Sequence, residues 1–150
     1  MKKKSEFKKG VDFIGVTCVF FCHDGKGKFL MHKRSKNCRD EIGNWDIGGG
    51  SLEFGEEFEE GVIREIQEEY GVTPKKVKLV HIYNALRENK GKKTHWVCLL
   101  FTAQVNPKKA KIGEPEAMDD IGWFTPNNLP SPLHTNFLGT IKTLKKLGAI

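Results

Sequence analysis

Eight of the thirteen glutamates in this 150-residue chain fall between Gly50 and Val72, and their order points to chemistry. With Phe58 at zero on a wheel of about 100° per residue, Phe58, Val62, Ile66, Tyr70 and Ile63 form an arc suited to face a core. Glu68, Glu65 and Glu69 crowd the neighbouring arc near about 280°, 340° and 20°, within little more than one turn. Like charges at i, i+3 and i, i+4 each cost roughly 0.2–0.5 kcal/mol on an open helix, and more when partly buried. Arg64 is spaced to pair with Glu60 and Glu68, but it cannot neutralise all three acids. A hard divalent cation, which prefers oxygen ligands, could. An acidic, solvated helix face is the competing reading of the same residues. Immediately upstream, Gly48-Gly49-Gly50 allows a tight turn and a close backbone approach to a ligand. A glycine loop followed by a carboxylate helix reads as a site for a metal ion and a pyrophosphate group.

In this respect the chain resembles the Nudix hydrolase family, whose box reads G-x5-E-x7-R-E-U-x-E-E-x-G-U, with U a bulky aliphatic residue. Gly50, Glu56, Arg64-Glu65-Ile66, Glu68-Glu69 and Gly71-Val72 match every specified position. The resemblance implies an enzyme dependent on Mg2+ or Mn2+ that uses water to cleave a phosphate–phosphate bond. It implies that Glu65, Glu68 and Glu69 hold the metal, with Glu56 and Gly50 counted in the same set. Arg64 would orient a glutamate by a charge-assisted hydrogen bond, so the catalytic set is Glu65, Arg64, Glu68 and Glu69. The general base is either Glu65 or an acid of the loop Glu114-Pro115-Glu116-Ala117-Met118-Asp119-Asp120. Several members carry a glutamate directly before the Trp of this loop, whereas here Gly122 precedes Trp123. In Trp45-Asp46-Ile47-Gly48-Gly49, Gly48 stands where many members have proline, which predicts a looser loop.

The substrate expected from this resemblance is a small nucleotide: a nucleoside triphosphate, oxidised ones included, or another nucleoside diphosphate derivative. Trp45, Trp123 and the paired acids Asp119-Asp120 suit a base-stacking pocket, and Arg34 joins them as a basic residue at the end of the second strand. Trp123-Phe124 reads equally well as strand packing. Arg87 and Glu88 occupy the positions after the box where ADP-ribose hydrolases often have proline. The stretch Leu30 to Gly50 matches the coenzyme A subgroup only in part, with Arg34, Ser35, Arg39 and Gly43 in place and His32, Ile47 and Gly48 departing. A nucleotide-binding regulator or an RNA 5′-end pyrophosphohydrolase is the alternative. Regulators of this type usually lose box glutamates, and this chain has lost none.

Elements that would position these residues follow from periodicity. Val11 to Phe21 and Lys28 to Arg34 read as strands of a hairpin turning at Asp24-Gly25-Lys26-Gly27, and Asn44 to Ile47 as a third strand. Period 3.6 then runs from about Glu56 to Tyr70, stopped by Gly71 and Pro74. Lys78 to Leu86 and Thr94 to Val105 read as a second hairpin, and Ile121 to Phe124 as a short strand. Phe137, Leu138, Ile141, Leu144 and Leu147 form the apolar stripe of a closing helix. The predicted class is α+β: an α/β/α sandwich with a mixed central sheet and a helix on each face, in one domain over residues 1–150.

Bulk properties narrow the remaining choices. No run approaches the roughly 18 apolar residues of a membrane span, and Met1-Lys2-Lys3-Lys4-Ser5-Glu6 has no apolar stretch behind its charges, so a cytoplasmic protein with no membrane partner is expected. Cys18, Cys22, Cys38 and Cys98 form no C-x-x-C pair, which argues against zinc; Cys18 and Cys22 share a strand face as packed thiols. The net charge of +6, with lysines gathered at 90–93, 108–111 and 142–146, favours a polyanionic small ligand over duplex nucleic acid.

Overall fold

The strand Gly15–His23 (β1) is apolar on both sides, and both are buried: Cys18, Phe20 and Cys22 enter one core, Val19 and Phe21 the other. Such a strand belongs at the centre of a sheet covered on both faces. In the computed structural model, which describes residues 6–150, it lies there. The charged start, Met1 to Ser5, falls outside the described residues. Lys92–Gln104 (β6) runs parallel to β1, from Trp96 opposite Gly15 to Gln104 opposite His23. Lys75–Asn89 (β5) pairs antiparallel with β6 and forms one edge. On the other side Phe29–Arg34 (β2) carries Trp45–Asp46 (β3) and Met118–Phe124 (β7), both antiparallel. The sheet is mixed, as expected.

Two expectations about strands need correction. The hairpin of the first two strands is reduced to a single pairing, His23 with Phe29, because β1 is paired along its length with other strands. The glycine run is not a loop: Gly48–Ser51 (β4) pairs antiparallel with β1, Gly48 against Phe20 and Gly50 against Cys18. Gly48 therefore sits in a ladder and not in a loosened turn. A Cβ there would lie 2.0 Å from the Phe20 ring, so the lack of a side chain is what lets the two strands and the ring pack.

Helix Phe58–Tyr70 (α1) covers one face. Glu60 accepts from the Glu57 N–H at 3.1 Å, and Gly71, in the left-handed region at φ 61, closes the helix by donating to Gln67 O. Val62, Ile66 and Tyr70 are fully buried against Cys18, Phe20, Cys22 and Leu99, each stabilising the fold by about 2 kcal/mol. Phe58, expected to face the core, is 46% exposed, as Glu57, Glu59 and Glu60 are also exposed and the first turn stands clear of the sheet. The second helix, Phe137–Lys146 (α2), buries Phe137, Ile141 and Leu144 on the other face with Phe21, Phe29 and Met31. Leu138 and Leu147, expected on that stripe, are exposed, because the buried face is narrower than the apolar pattern. Among the described residues no helix is long and apolar enough to cross a membrane.

Candidate active site

Side chains alternate along a strand, so Gly48 and Gly50 of β4 face α1 while Gly49 and Ser51 face the opposite side of the sheet. The α1 side is cut to fit carboxylates. A Cβ at Gly50 would lie 2.0 Å from the carboxyl carbon of Glu65, and one at Gly48 would lie 2.7 Å from Glu69 Oε2. Both glutamates are buried, and Glu69 Oε2 meets no hydrogen-bond donor among the described residues. Burial above all, then the charges of Glu114 and Glu65, push the Glu69 carboxyl well above the ordinary range, against a hydrogen bond from the Gly49 N–H. Burial also raises Glu65, with Arg64 opposing and Glu68 and Glu114 reinforcing. A buried carboxylate oxygen with no donor is what a bound cation would neutralise, and the all-oxygen surroundings suit a hard divalent ion.

Arg64 organises the rest. Its Nε and Nη2 bind Glu56, the latter at 3.0 Å, its Nη1 reaches Glu65 Oε1 at 2.8 Å and Glu68 Oε2 at 3.3 Å, and Nη2 also donates to Ser51 O at 3.1 Å. Glu60, expected as a partner from helical spacing, is instead committed to the helix start. The guanidinium hydrogen bond, helped by the Glu53 N–H, holds Glu56 near 2. Glu56 is thus satisfied by Arg64, whereas Glu69 has one oxygen, Oε2, without a donor among the described residues. Glu68 is half-exposed, and the Gly50 carbonyl accepts from the Thr17 hydroxyl at 3.0 Å. Among the described residues, no three His, Cys, Asp or Glu side chains already converge as a metal-ligand group.

The loop after β6 brings a further acid to this cluster. Lys111 N–H and Gly113 N–H donate to Tyr70 O and Glu69 O at the end of α1, and Glu114, the next residue, stands close enough to raise both Glu65 and Glu69. Of the acids in 114–120 it is the one whose charge reaches them both; Asp119 and Asp120 lie exposed on β7.

Across the sheet, Gly49 and Ser51 line a cleft of about 310 Å³ that also takes in Arg34, Tyr83, Arg87 and Trp96. Asp40 is held between Arg34 Nη2 at 2.9 Å and Arg87 Nη1 at 3.5 Å. His134 is brought in by the segment before α2, which hydrogen-bonds Trp45 through Pro132 O and the His134 N–H. The Asn136 N–H donates to His134 Nδ1, leaving the ring proton on Nε2, which faces Asp46 Oδ2 at 3.8 Å. Burial raises the Asp46 carboxyl, opposed by His134. Of the residues expected to bind substrate, Arg34 lines this cleft. Trp45 packs edge-on against Phe124 at 5.2 Å and Trp123 packs on the α1-side core, so neither joins Asp119 and Asp120 in a common pocket. Asp46, Arg87 and His134 were not singled out as ligands in the sequence. Asp46 could have been noticed, lying next to the glycine run; nothing local marks His134.

Comparison with known proteins matches the family model described as the NUDIX domain to residues 13–145. An ADP-ribose pyrophosphatase of Methanocaldococcus jannaschii is 33% identical over 103 residues, which is 69% of this chain and 57% of that protein. The chain thus spans little more than half of that relative's length. The nucleoside triphosphatase NudI of Escherichia coli is 26% identical over 143 residues, covering 90% of this chain and 96% of NudI. Among solved structures, a MutT NUDIX hydrolase from Burkholderia pseudomallei superposes with a TM-score of 0.76 at 26% identity, covering 87% of this chain and 98% of the other.

Proposed function

Since the chain belongs to the NUDIX family, we propose that it is a hydrolase dependent on Mg2+ or Mn2+ that cleaves the pyrophosphate linkage of a nucleoside triphosphate or another nucleoside diphosphate derivative. The observation that carries this reading is the glycine strand β4. On one side it clears space beside Glu65 and the Glu69 carboxylate, whose Oε2 meets no donor among the described residues; on the other it lines a cleft of nucleoside size. Among the described residues β4 pairs with β1 alone, so a substrate seated in the cleft would reach the acids of α1 by passing its phosphate chain around β4.

Glu65, Glu68, Glu69 and the Gly50 carbonyl are the groups that would hold the metal. When bound, the metal supplies charge neutralisation for the pyrophosphate and a lowered pKa for water. Arg64 keeps Glu65 in place by its 2.8 Å contact and is itself fixed by Glu56, so Glu56 acts as a positioning residue. The water proton is accepted by Glu65 or by Glu114, both at the cluster. Arg34 and Arg87 supply positive charge to the cleft, Tyr83 and Trp96 supply aromatic surface, and Asp46 with His134 offers an acceptor beside a donor. The names of the relatives, a nucleoside triphosphatase and an ADP-ribose pyrophosphatase, agree with this substrate class.

A panel of nucleoside triphosphates, oxidised triphosphates, ADP-ribose, coenzyme A and 5′-triphosphate RNA, assayed with Mg2+ by phosphate release after a phosphatase step, tests the reading. Turnover of one or more nucleotides is expected. Tight binding of a nucleotide with no turnover across the panel would overturn it in favour of a regulatory module.

A further inference from the structure

The edge strand β5 has two unlike halves. Its first half carries the exposed Lys75, Lys76 and Lys78, a positive φ of 50° at Lys76, and register shifts between Lys75 and Lys78 and between Leu79 and His81. Charge and bulges of this kind keep an edge from pairing. From His81 to Asn89 the register against β6 is unbroken, and the stretch holds no lysine and no proline. This half nevertheless exposes Ile82 at 53% and Leu86 at 70%, two positions either side of Asn84.

We propose that residues 81–87 of β5 pair antiparallel with the same segment of a second copy of this chain, with the two-fold axis at Asn84. A self-pairing of this sort must be self-complementary about its axis. With Asn84 opposite the partner's Asn84, Ile82 faces the partner's Leu86 and Leu86 faces the partner's Ile82, so both exposed aliphatics are matched twice on one face. Moving the axis to Tyr83 sets Ile82 against the partner's Asn84, and moving it to Ala85 sets Ile82 against the partner's Glu88. Only the Asn84 register joins the two aliphatics, which is why the occupant is a copy of this strand.

The pairing also reaches the cleft. Tyr83, Ala85 and Arg87 point to the α2 side, where a groove of about 470 Å³ between β5 and α2 shares all three with the substrate cleft and extends to the β5 edge. In the same register the partner's Ala85, Tyr83 and His81 stand opposite Tyr83, Ala85 and Arg87. The second copy therefore forms the outer wall of that groove. This inference rests on the sheet edge and is independent of the hydrolase reading.

Light scattering at about 10–100 µM should give twice the 17.0 kDa mass of the chain. Leu86→Glu, at an exposed position that leaves the core untouched, should give 17.0 kDa with an unchanged far-UV spectrum. Directly opposed residues in an antiparallel pair have Cα atoms about 4.5–5.5 Å apart, within disulfide range. Asn84→Cys in a Cys38→Ser background should therefore cross-link to a covalent dimer under mild oxidation. A wild-type chain that stays monomeric to about 100 µM would overturn the proposal. So would a dimer that survives Leu86→Glu and fails to cross-link through Asn84→Cys.

Discussion

Glu69 and Glu56 are both glutamates of the same box, yet their surroundings set them opposite tasks. Arg64 satisfies Glu56 and holds it near 2, while Glu69 is buried with an oxygen that nothing donates to. Replacing Glu69 by Gln removes a charge whose burial is uncompensated without metal, at nearly constant volume. We expect kcat to fall by at least about a hundredfold while the metal-free melting temperature stays level or rises. Steady-state kinetics beside a melting curve reads both, and near-normal turnover at saturating Mg2+ would remove Glu69 from the site. His32 carries a separate prediction. Buried and hydrogen-bonded through Nδ1 to the Tyr70 hydroxyl at 2.8 Å, it is lowered to about 4, by burial first and then by Arg34 and His134. A depressed histidine contributes stability that is complete above its unfolded value of about 6.5 and is lost as pH falls towards 4. The loss over that window should be about 3 kcal/mol, measured by urea unfolding from pH 7 to pH 4, and smaller in His32→Gln. An identical pH dependence in the variant would contradict the assignment.

At the scale of elements, β4 carries the most consequence for the site. The three atoms nearest a methyl group at Gly50 all belong to the Glu65 carboxyl group, so Gly50→Ala should displace that carboxylate and leave the fold standing. We expect at least a tenfold loss of kcat with a melting temperature within about 4 °C of wild type, a change of at most about 1–2 kcal/mol for a domain of this size. A loss of folding in proportion to activity would mean that the glycine is needed for packing alone. The carboxylate helix was legible in the sequence because period 3.6 and the box positions depend on local spacing: Val62, Ile66 and Tyr70 are buried, and Glu69 lies at the edge of their stripe. β4 was not legible, since three glycines carry no side-chain alternation and their pairing with β1 bridges residues about 30 apart. The cleft was the least legible part. Its Asp46–His134 pair depends on the segment 132–134 hydrogen-bonding to Trp45, and its Asp40 on two arginines 53 positions apart, Arg34 and Arg87. Neither arrangement leaves a local pattern. Trp45 and Trp123, prominent by type alone, went to packing, as aromatic residues on strands commonly do.

Taken whole, the molecule sets one sheet between two helices, with acids on the α1 side and the cleft on the α2 side of the same glycine strand. Both cores pack against this one sheet. Binding of a divalent ion at Glu65, Glu68 and Glu69 would favour the folded state, by about 2.7 kcal/mol at a hundred times Kd. For a domain of this size that is a rise of about 5–10 °C in melting temperature. The gain should shrink in Glu68→Gln and more so in Glu69→Gln. A melting curve indifferent to Mg2+ and Mn2+ would return the helix to an ordinary acidic surface. The central claim is that water attacks phosphorus at a phosphate–phosphate bond, and the reaction in 18O-labelled water tests it most directly. With a triphosphate substrate the products should be a nucleoside monophosphate and pyrophosphate, with the label on a phosphate of one of them. Label in a sugar hydroxyl would contradict the account.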